Sequence, residues 1–380
     1  MRSTSSRITA ALPLPDDTPR LAHLAEVRWW LLAAALALAA IGLATIRSAS
    51  AELPADYFSR QLLWIGVGLV GMVVSFGFNY HRLLAFAWPL YGFSLAALAL
   101  VLAFGHQAGG SQGWFRLGSV GLQPSEFAKL ATTLVLTRYL AGLNQRELAL
   151  PQIATVLAIA GAPILLVAAQ PDLGGAAMFG PMVAGLLLVA GVRLRVLVAA
   201  TAIALVLGGL GWNFAMKEYQ RERVLTFLSP ARDPLGAGYQ VRQSKIAVGS
   251  GELAGKGYMQ GTQSQLRFLP ARHTDFILAV LAEEWGFVGV AAVFALYALL
   301  LGNAAMVAMR ARDRAGILLV VGLAAVTAFH VLYNSAMIIG LVPMTGIPLP
   351  FLSYGGSFTL VNFVTVGLVL GVDFRRFVNR

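Results

Sequence analysis

Long apolar runs recur along the whole chain, and they constrain the fold more than any other feature. Of the 380 residues, 58% are hydrophobic and only 12% are charged, whereas soluble globular proteins carry roughly 25% charged residues. A helix that crosses a bilayer needs about 20 predominantly apolar residues. The sequence therefore predicts an all-α, polytopic membrane protein.

We predict about ten membrane-spanning helices. Their approximate bounds are residues 27–46, 61–78, 83–104, 125–143, 152–169, 173–192, 196–215, 276–308, 315–339 and 357–372. The eighth segment exceeds the length that a bilayer requires, so we expect it to protrude or to bend at Gly286 or Gly289. We interpret the polar residues 1–26 as a disordered cytoplasmic tail and residues 27–380 as a single membrane domain.

Arginines are distributed unequally between the two sets of helix ends. One set of ends and short loops holds fifteen: Arg2, Arg7, Arg20, Arg28, Arg82, Arg138, Arg146, Arg193, Arg195, Arg310, Arg312, Arg314, Arg375, Arg376 and Arg380. The short loops of the opposite set hold three, Arg47, Arg60 and Arg116. Because cytoplasmic loops are enriched in Lys and Arg, both termini of this multi-pass protein are predicted to be cytoplasmic.

The large loop at residues 216–275 is then extracytoplasmic. It carries nine cations and five acids, a surplus of four. This surplus suits an anionic lipid headgroup or a diphosphate; alternatively, the loop is solvated and holds local ion pairs. Nucleic acid is excluded as a partner because no basic helix or finger motif is present. The five histidines show no metal-ligand spacing, so no dedicated metal site is predicted.

Three ionisable residues lie at the ends of predicted spans, where such residues are expensive and usually functional. Glu126 and Lys129 are three positions apart in "PSEFAKL", which places them on one helical face. They form either a helix cap with a structural ion pair or a charged cavity wall. Asp172, in "QPDLGG", is either a helix-start residue or an acid of the site.

The segment at residues 342–358, "VPMTGIPLPFLSYGGSF", is mostly apolar and rich in Pro and Gly. Irregular backbone at membrane depth is tolerated only where it packs inside protein or lines a wet cavity, so we predict a re-entrant or cavity-lining segment. Ser353, Gly355 and Gly356 are candidate substrate contacts, since glycine lets backbone approach a ligand closely. The alternative is a tight turn before the last helix.

Acidic residues also surround the start of the eighth span, in "RFLPARHTDFILAVLAEEWGFVG" at residues 267–289. From the residue pattern alone, Asp275 is best explained as a helix N-cap. Glu283 and Glu284 are successive and face about 100° apart on a helix. We expect one to line an internal cavity and the other to contact a neighbouring helix, or alternatively a buried ionic lock. The stretch "GSGELAGKG" (249–257) lacks the Ser or Thr of a phosphate-binding P-loop.

Residues 219–286 resemble the signature loop of the SEDS family, the shape, elongation, division and sporulation proteins of bacteria. Further family motifs follow the expected order: "GWFRLGSVGLQPSEFAKL" (113–130), "QPDLG" (170–174) and "PLPFLSYGGS" (348–357). The sequence "GTQSQL" (261–266) is similar to the elongation branch rather than the division branch. One departure is Gly251-Glu252, where the family usually has two glycines.

The resemblance implies a peptidoglycan glycosyltransferase that polymerises lipid II at the outer face of the cytoplasmic membrane. It implies Asp275 as the catalytic acid or base and a class B penicillin-binding protein, a transpeptidase, as the partner, beside other elongation-complex proteins and membrane lipid. No cofactor is certain; a divalent cation, Mg²⁺ or Mn²⁺, could assist. Candidate cations for the leaving diphosphate are Arg223, Arg116, Lys129, Lys245 and Arg272. The rival functions are a lipid II flippase and a scaffold for the transpeptidase.

Overall fold

The computed structural model describes residues 21–108, 111–117, 120–143, 147–210, 218–229, 233, 236–266 and 268–377. A short 3₁₀ helix at Leu21–Glu26 precedes the bundle. The α-helices are α1 (Trp29–Ser50), α2 (Tyr57–Gly77), α3 (Tyr80–Ala85), α4 (Ala87–Phe104), α5 (Pro124–Ala141), α6 (Leu150–Ala169), α7 (Leu173–Ala177), α8 (Phe179–Val189), α9 (Leu194–Leu210), α10 (Glu218–Leu228), α11 (Ala237–Ser250), α12 (Thr262–Gln265), α13 (Ile277–Arg310), α14 (Arg314–Ile338) and α15 (Gly356–Arg375). The strands are β1 (His106–Ala108), β2 (Ser111–Leu117) and β3 (Val120–Leu122).

The predicted class, a helical polytopic membrane protein, is confirmed. Within the described residues, seven helices are long and apolar enough to cross a membrane: α1, α2, α4, α6, α13, α14 and α15. The α7–α8 pair adds a shorter apolar stretch, Leu173–Val189. Helix α5 carries three charged residues and α9 has 17 residues. These elements match the ten predicted segments in order, and the count of ten crossings remains a prediction.

Several sequence-based expectations need correction. A small antiparallel sheet of order β1-β2-β3 lies between α4 and α5, where no strand was predicted. The loop at residues 216–275 contains three helices, α10 to α12. The sixth predicted span is divided at Met178 into α7 and α8. Of the predicted disordered tail, residues 1–20 lie outside the described residues, and Leu21–Glu26 is helical.

Glycines bring α2 and α15 close together. A Cβ atom added at Gly68 would lie 2.6 Å from the Phe363 ring, and one at Gly367 would lie 2.3 Å from the Met72 carbonyl oxygen. Apolar side chains gain nothing by leaving lipid for another helix, so close backbone approach through small residues is what stabilises such a pair. Helix α15 therefore packs along α2 with most of its length buried.

Arginines of the predicted cytoplasmic set close the ends of neighbouring helices. The Arg375 guanidinium donates to the carbonyl oxygens of Phe76 and Gly77 at 2.9 and 2.7 Å, at the end of α2. The Arg138 guanidinium donates to the carbonyl oxygens of Leu84 and Ala85 at 2.7 and 2.6 Å, at the end of α3. The last carbonyls of a helix have no partner inside it, so these arginines satisfy helix-end carbonyls of α2 and α3, and the topology predicted from them remains a prediction.

Helix α13 is interrupted at Gly286, whose φ of 65° and ψ of −163° are not helical. The turn after α11 supplies the backbone bonds that the helix loses there: Lys256 and Gly257 donate to the carbonyls of Glu283 and Glu284 at 2.9 and 3.0 Å, and Phe287 and Val288 donate to those of Glu252 and Leu253 at 2.9 and 3.1 Å. The predicted bend is confirmed at Gly286. The "GELAGKG" stretch therefore stabilises the interrupted helix through backbone hydrogen bonds, which is a structural role and not that of a P-loop.

Candidate active site

A non-helical segment, residues 339–355, connects α14 to α15 and is called the re-entrant segment below. The apolar side chains of its second half, including Leu349 and Phe351, are buried, whereas Ile339 and Leu341 at its start are exposed. A Cβ atom added at Gly42 would lie 2.6 Å from the Cα of Leu352, and Gly42 is eight residues, about 12 Å, from the C-terminal end of α1. The second half of the segment therefore packs inside the protein against α1, and its depth in the membrane remains a prediction.

Polar side chains of α14 hold this segment by its carbonyl groups. The Tyr333 hydroxyl donates to Pro343 at 3.0 Å, the Asn334 amide donates to Ile347 at 2.8 Å, and His330 Nδ1 lies 3.0 Å from the Pro348 oxygen. Unpaired carbonyls are costly away from water. These bonds explain how a proline-rich backbone is tolerated within the bundle.

Asp275 lies in the turn that precedes α13 and is partly exposed. The N-cap position of α13 is Phe276, so Asp275 does not occupy the cap position expected from the residue pattern. Asn334 donates to the Asp275 carbonyl at 2.8 Å. A Cβ atom added at Gly346, an exposed glycine with a φ of 70°, would lie 3.4 Å from Asp275 Oδ2. The re-entrant segment thus presents a bare glycine to the carboxylate.

The residues before Asp275 are bonded to the end of the re-entrant segment. The buried Ser353 hydroxyl donates to the Thr274 carbonyl at 2.7 Å and accepts from the Leu349 amide at 2.8 Å. The Tyr354 amide donates to the His273 carbonyl at 3.0 Å. Ser353 therefore joins the backbone just before Asp275 to the re-entrant segment, and its role as a substrate contact stays a prediction.

An aromatic cluster of Tyr57, His273 and Tyr354 flanks this backbone. The centroid of the Tyr57 ring lies 4.3 Å from that of His273 and 4.9 Å from that of Tyr354. Burial, aided by the nearby Arg272 charge, lowers the pKa of His273 from 6.5 to about 4, so this ring is neutral at physiological pH. The exposed Arg60 side chain interacts electrostatically with the Tyr354 hydroxyl, which brings a cation to the rim of the site.

Glu126 and Lys129 form a buried ion pair on the first turns of α5. Lys129 Nζ lies 2.8 Å from Glu126 Oε1 and 3.2 Å from His330 Nε2. The two charged side chains are only 6% and 4% exposed. Together with residues of α14 and α15, including Thr327 and Asn362, they line a small cavity. Both open interpretations hold in part, since a structural pair also lines a small cavity.

Asp172 and two glycines near the re-entrant segment make structural contacts. Asp172 is the N-cap of α7 and accepts from the Gly175 amide at 2.8 Å. The next turn supports the re-entrant segment, because a Cβ atom at Gly174 would lie 2.7 Å from the Thr345 carbonyl oxygen. A Cβ atom at Gly356 would lie 2.2 Å from the Trp64 ring. The close approach expected of Gly356 is therefore to Trp64 rather than to a ligand.

Gly355 behaves differently from its neighbour. Its amide donates to the Gln61 side chain at 3.2 Å, and the nearest atom to an added Cβ is 3.5 Å away in Phe358. Its φ of 166° is extended backbone that any residue adopts. The geometry therefore does not require glycine at this position.

The predicted cations fall into two groups. Arg116, on β2, and Lys245, on α11, are exposed. Arg272 is buried and donates Nε–H to the Ala49 carbonyl at 2.6 Å and Nη1–H to the Ser264 carbonyl, so it braces the outer loop against α1. The side chain of Arg223, on α10, lies outside the described part of the chain. Lys129 and Arg272 are thus buried and engaged inside the protein, and their predicted role toward a diphosphate is untested.

Glu283 is the buried ionic lock that the sequence left as an alternative. Its Oε1 accepts from Lys256 Nζ at 2.8 Å, from the Thr262 hydroxyl at 3.1 Å and from the Gln263 amide at 2.9 Å, and its Oε2 accepts from the Ser264 amide at 3.2 Å. This carboxylate therefore holds the start of α12. Glu284, by contrast, accepts from the Ser48 hydroxyl of α1, which matches the predicted contact with a neighbouring helix.

Sequence reasoning missed His330, Asn334, His273, Tyr57 and Arg60 as parts of the site. Only Arg60 gave a usable signal, because it is one of three arginines in the outer short loops. Among the described residues, no three His, Asp or Glu side chains converge to hold a metal ion. A Mg²⁺ or Mn²⁺ ion would therefore take its ligands from a substrate diphosphate and one or two carboxylates.

Comparison with known proteins gives a consistent result. The cell cycle protein family of FtsW, RodA and SpoVE matches residues 28–376. Peptidoglycan glycosyltransferase MrdB of Escherichia coli K12 is 40% identical over 344 residues, covering 90% of this chain and 92% of that protein. Peptidoglycan glycosyltransferase RodA of Treponema pallidum is 30% identical over 432 residues, covering 94% and 100%.

Solved structures share the fold. A chain from a peptidoglycan synthase complex, studied for its coordination of polymerisation and crosslinking, superposes with a TM-score of 0.80 at 34% identity, covering 93% of this chain and 99% of that one. Rod shape determining protein RodA of Thermus thermophilus gives a TM-score of 0.70 at 31% identity, covering 93% and 98%.

Proposed function

Because this chain belongs to the SEDS family of cell cycle proteins, with FtsW, RodA and SpoVE, we propose that it is a peptidoglycan glycosyltransferase of the elongation branch. Its reaction is the polymerisation of lipid II into glycan strands at the outer face of the cytoplasmic membrane, and Asp275 is its catalytic base. The 40% identity to MrdB over 90% of the chain supports the activity. The family resemblance of "GTQSQL" supports the branch.

The reaction joins two sugars and releases a diphosphate. The acceptor 4-hydroxyl oxygen forms a bond to the anomeric carbon of the donor sugar, and the bond from that carbon to the diphosphate oxygen breaks. The hydroxyl proton passes to Asp275, and positioned general bases contribute about 10²–10⁴-fold. The undecaprenyl diphosphate leaves with its negative charge, which nearby cations stabilise.

The observation that carries this proposal is the exposure of Asp275. Glu126, Glu283 and Glu284 are buried and accept hydrogen bonds from neighbouring side chains. Asp275 is partly exposed and faces the bare Gly346, so a sugar hydroxyl can approach its carboxylate. Its backbone is held by Asn334, and that of the preceding residue by Ser353, which keeps the base in place.

Among the cations that the structure describes, Arg60, Arg116 and Lys245 are exposed, and we take these as candidates for contact with the diphosphate. We place Arg60 first because its charge acts on the Tyr354 hydroxyl, and the Tyr354 ring is 5.8 Å from that of His273, two residues before Asp275. Arginine matches phosphate oxygens with two parallel N–H groups. Lys129 and Arg272, being buried and engaged, are not assigned to the leaving group.

We propose a class B penicillin-binding protein as the partner, in the cytoplasmic membrane and beside other elongation proteins. The likeness to a chain from a peptidoglycan synthase complex supports a polymerase that works with a crosslinking enzyme. Lipid II itself is proposed as the substrate from the family resemblance.

The test is glycan-strand formation from purified lipid II, by the protein reconstituted with its cognate transpeptidase. We expect Asp275→Asn to lose at least about 100-fold in rate, while Glu252→Gln, the same kind of change at an exposed acid of the outer loop, keeps the wild-type rate. Partner binding shows that both variants fold. Equal rates for Asp275→Asn and wild type would refute the base assignment. Transport of lipid II across the bilayer without polymer would replace the transferase by a flippase.

A further inference from the structure

His330 connects the buried ion pair of α5 to the re-entrant segment. The ring is 2% exposed. Its Nε2 lies 3.2 Å from Lys129 Nζ, and its Nδ1 lies 3.0 Å from the Pro348 carbonyl oxygen. The Phe358 ring packs on it with centroids 5.0 Å apart. The imidazole is thus held on both nitrogens and on one face.

The two partners together fix the position of the imidazole proton. A carbonyl oxygen only accepts, so Nδ1 must carry a hydrogen to bond Pro348. An ammonium group only donates, so Nε2 must present its lone pair to Lys129. Lys129 remains charged because it is paired with Glu126 at 2.8 Å. A doubly protonated ring would place an N–H against this ammonium, so both partners select the neutral Nδ1–H tautomer.

The bond to Pro348 acts two residues away from the point where the re-entrant segment meets Asp275. Gly346 faces the Asp275 carboxylate. Ile347 lies between Gly346 and Pro348, and its carbonyl accepts from the same Asn334 amide group that donates to the Asp275 carbonyl. His330 and Asn334 are four positions apart, on one face of α14. The segment is therefore held at two successive carbonyls by one face of one helix, directly beside the reacting carboxylate.

We propose that His330 is a positioning residue for the glycosyl transfer, locked by Lys129 in the Nδ1–H tautomer so that it holds the re-entrant segment, and with it Gly346, against Asp275. The inference deepens the proposed function and rests on it for its kinetic part. Lys129 and Glu126 act through His330, which gives this buried pair a role that needs no contact with substrate.

A matched pair of variants separates the two nitrogens. The amide nitrogen of His330→Asn falls near the Nδ1 position and still donates to Pro348, whereas that of His330→Gln falls near Nε2, toward Lys129. We expect His330→Gln to lower kcat by about tenfold or more with little change in KM, since misplacing a reacting group by about 1 Å can cost roughly 100-fold. His330→Asn should restore most of the wild-type kcat.

A second readout does not depend on activity. In protein labelled with ¹⁵N-histidine, the signal absent from His330→Asn should show a protonated Nδ1 and an unprotonated Nε2. Amide hydrogen exchange across residues 342–355 should be faster in His330→Gln than in His330→Asn. Should wild type make no polymer, the proposed function fails, and these two measurements still decide the tautomer lock and the hold on the segment.

Three results would overturn the inference. One is a His330 ring protonated on Nε2 or on both nitrogens. Another is equal kcat, or equal exchange in the re-entrant segment, for the Asn and Gln variants. The last is a His330→Gln protein that folds, binds its partner and turns over like wild type.

Discussion

Replacing Lys129 by methionine should destabilise the protein strongly, because the Glu126 carboxylate would stay buried without its cation. Methionine keeps most of the apolar stem and removes only the ammonium group. Both side chains are almost fully buried and their charged atoms are 2.8 Å apart. Removing one partner of such a pair costs about 3–5 kcal/mol, since it leaves an uncompensated charge in a poorly solvated place.

A simple Coulomb estimate agrees with this range. Unit charges about 4 Å apart attract by roughly 4 kcal/mol at an effective dielectric constant of about 20. The double variant Glu126→Gln/Lys129→Met carries neither charge and leaves none unpaired. It should recover at least about 2 kcal/mol of the loss, because neutral replacements of a buried pair are often close to neutral in stability.

The assay is unfolding of the purified protein in mixed detergent micelles, followed by far-ultraviolet circular dichroism. The two single variants and the double variant complete a thermodynamic cycle with wild type. A Lys129→Met protein as stable as wild type would show that the pair carries little energy. A double variant as unstable as Lys129→Met would show that the loss comes from packing rather than from the unpaired carboxylate.

Two further predictions concern the re-entrant segment and its neighbours. Gly356→Ala should cost about 1–3 kcal/mol of unfolding free energy, because its Cβ would meet the Trp64 ring at 2.2 Å. The control is Gly355→Ala, whose Cβ would lie 3.5 Å from its nearest neighbour and which should unfold like wild type. Equal losses of stability in the two variants would refute the Trp64 contact as the cause. The pKa of His273 is about 4 instead of 6.5, so the unfolded chain binds the proton first as the pH falls. Stability should therefore drop between about pH 6.5 and 4, by at most about 3 kcal/mol, and His273→Gln should flatten the curve in a pH series of the same unfolding assay; identical curves would contradict the depressed pKa.

The sequence predicts the membrane helices well because lipid imposes a simple rule. A helix in hydrocarbon must be apolar for about 20 residues, and that pattern is visible without any knowledge of contacts. The bounds shift where helices continue into the interface. Helix α1, for example, runs to Ser50 instead of residue 46, and its last turn accepts a bond from Arg272 at Ala49, a contact that no local pattern reveals.

The small sheet and the outer helices could not be predicted by that rule. The sheet forms from a stretch rich in Gly, Gln and Ser, and its backbone also bonds outside it, as when the Gln112 amide donates to the Gln170 carbonyl at 3.1 Å. Helices α10 to α12 lie in a polar loop without a long apolar run. Their formation depends on tertiary contacts such as that of Glu283 with the start of α12.

The candidate site shows the same division between local and long-range information. Asp275 could be proposed from the family resemblance, and the Glu126–Lys129 pair from its spacing. His330 and Asn334 could not, because each meets its partner only when α14 packs against a segment 13 to 18 residues further along the chain. Arg272 was assigned to substrate for its charge alone, and only the fold shows that its donors serve Ala49 and Ser264.

The acids of the bundle differ in how far a substrate can reach them. Glu126 and Glu283 are buried and paired with Lys129 and Lys256, so neither is open to a substrate hydroxyl. A general base must gain and lose a proton in every cycle. Asp275 is partly exposed, and Asn334 bonds its backbone carbonyl. The fold thus fixes the backbone at Asp275 while its side chain stays within reach of a proton donor from outside.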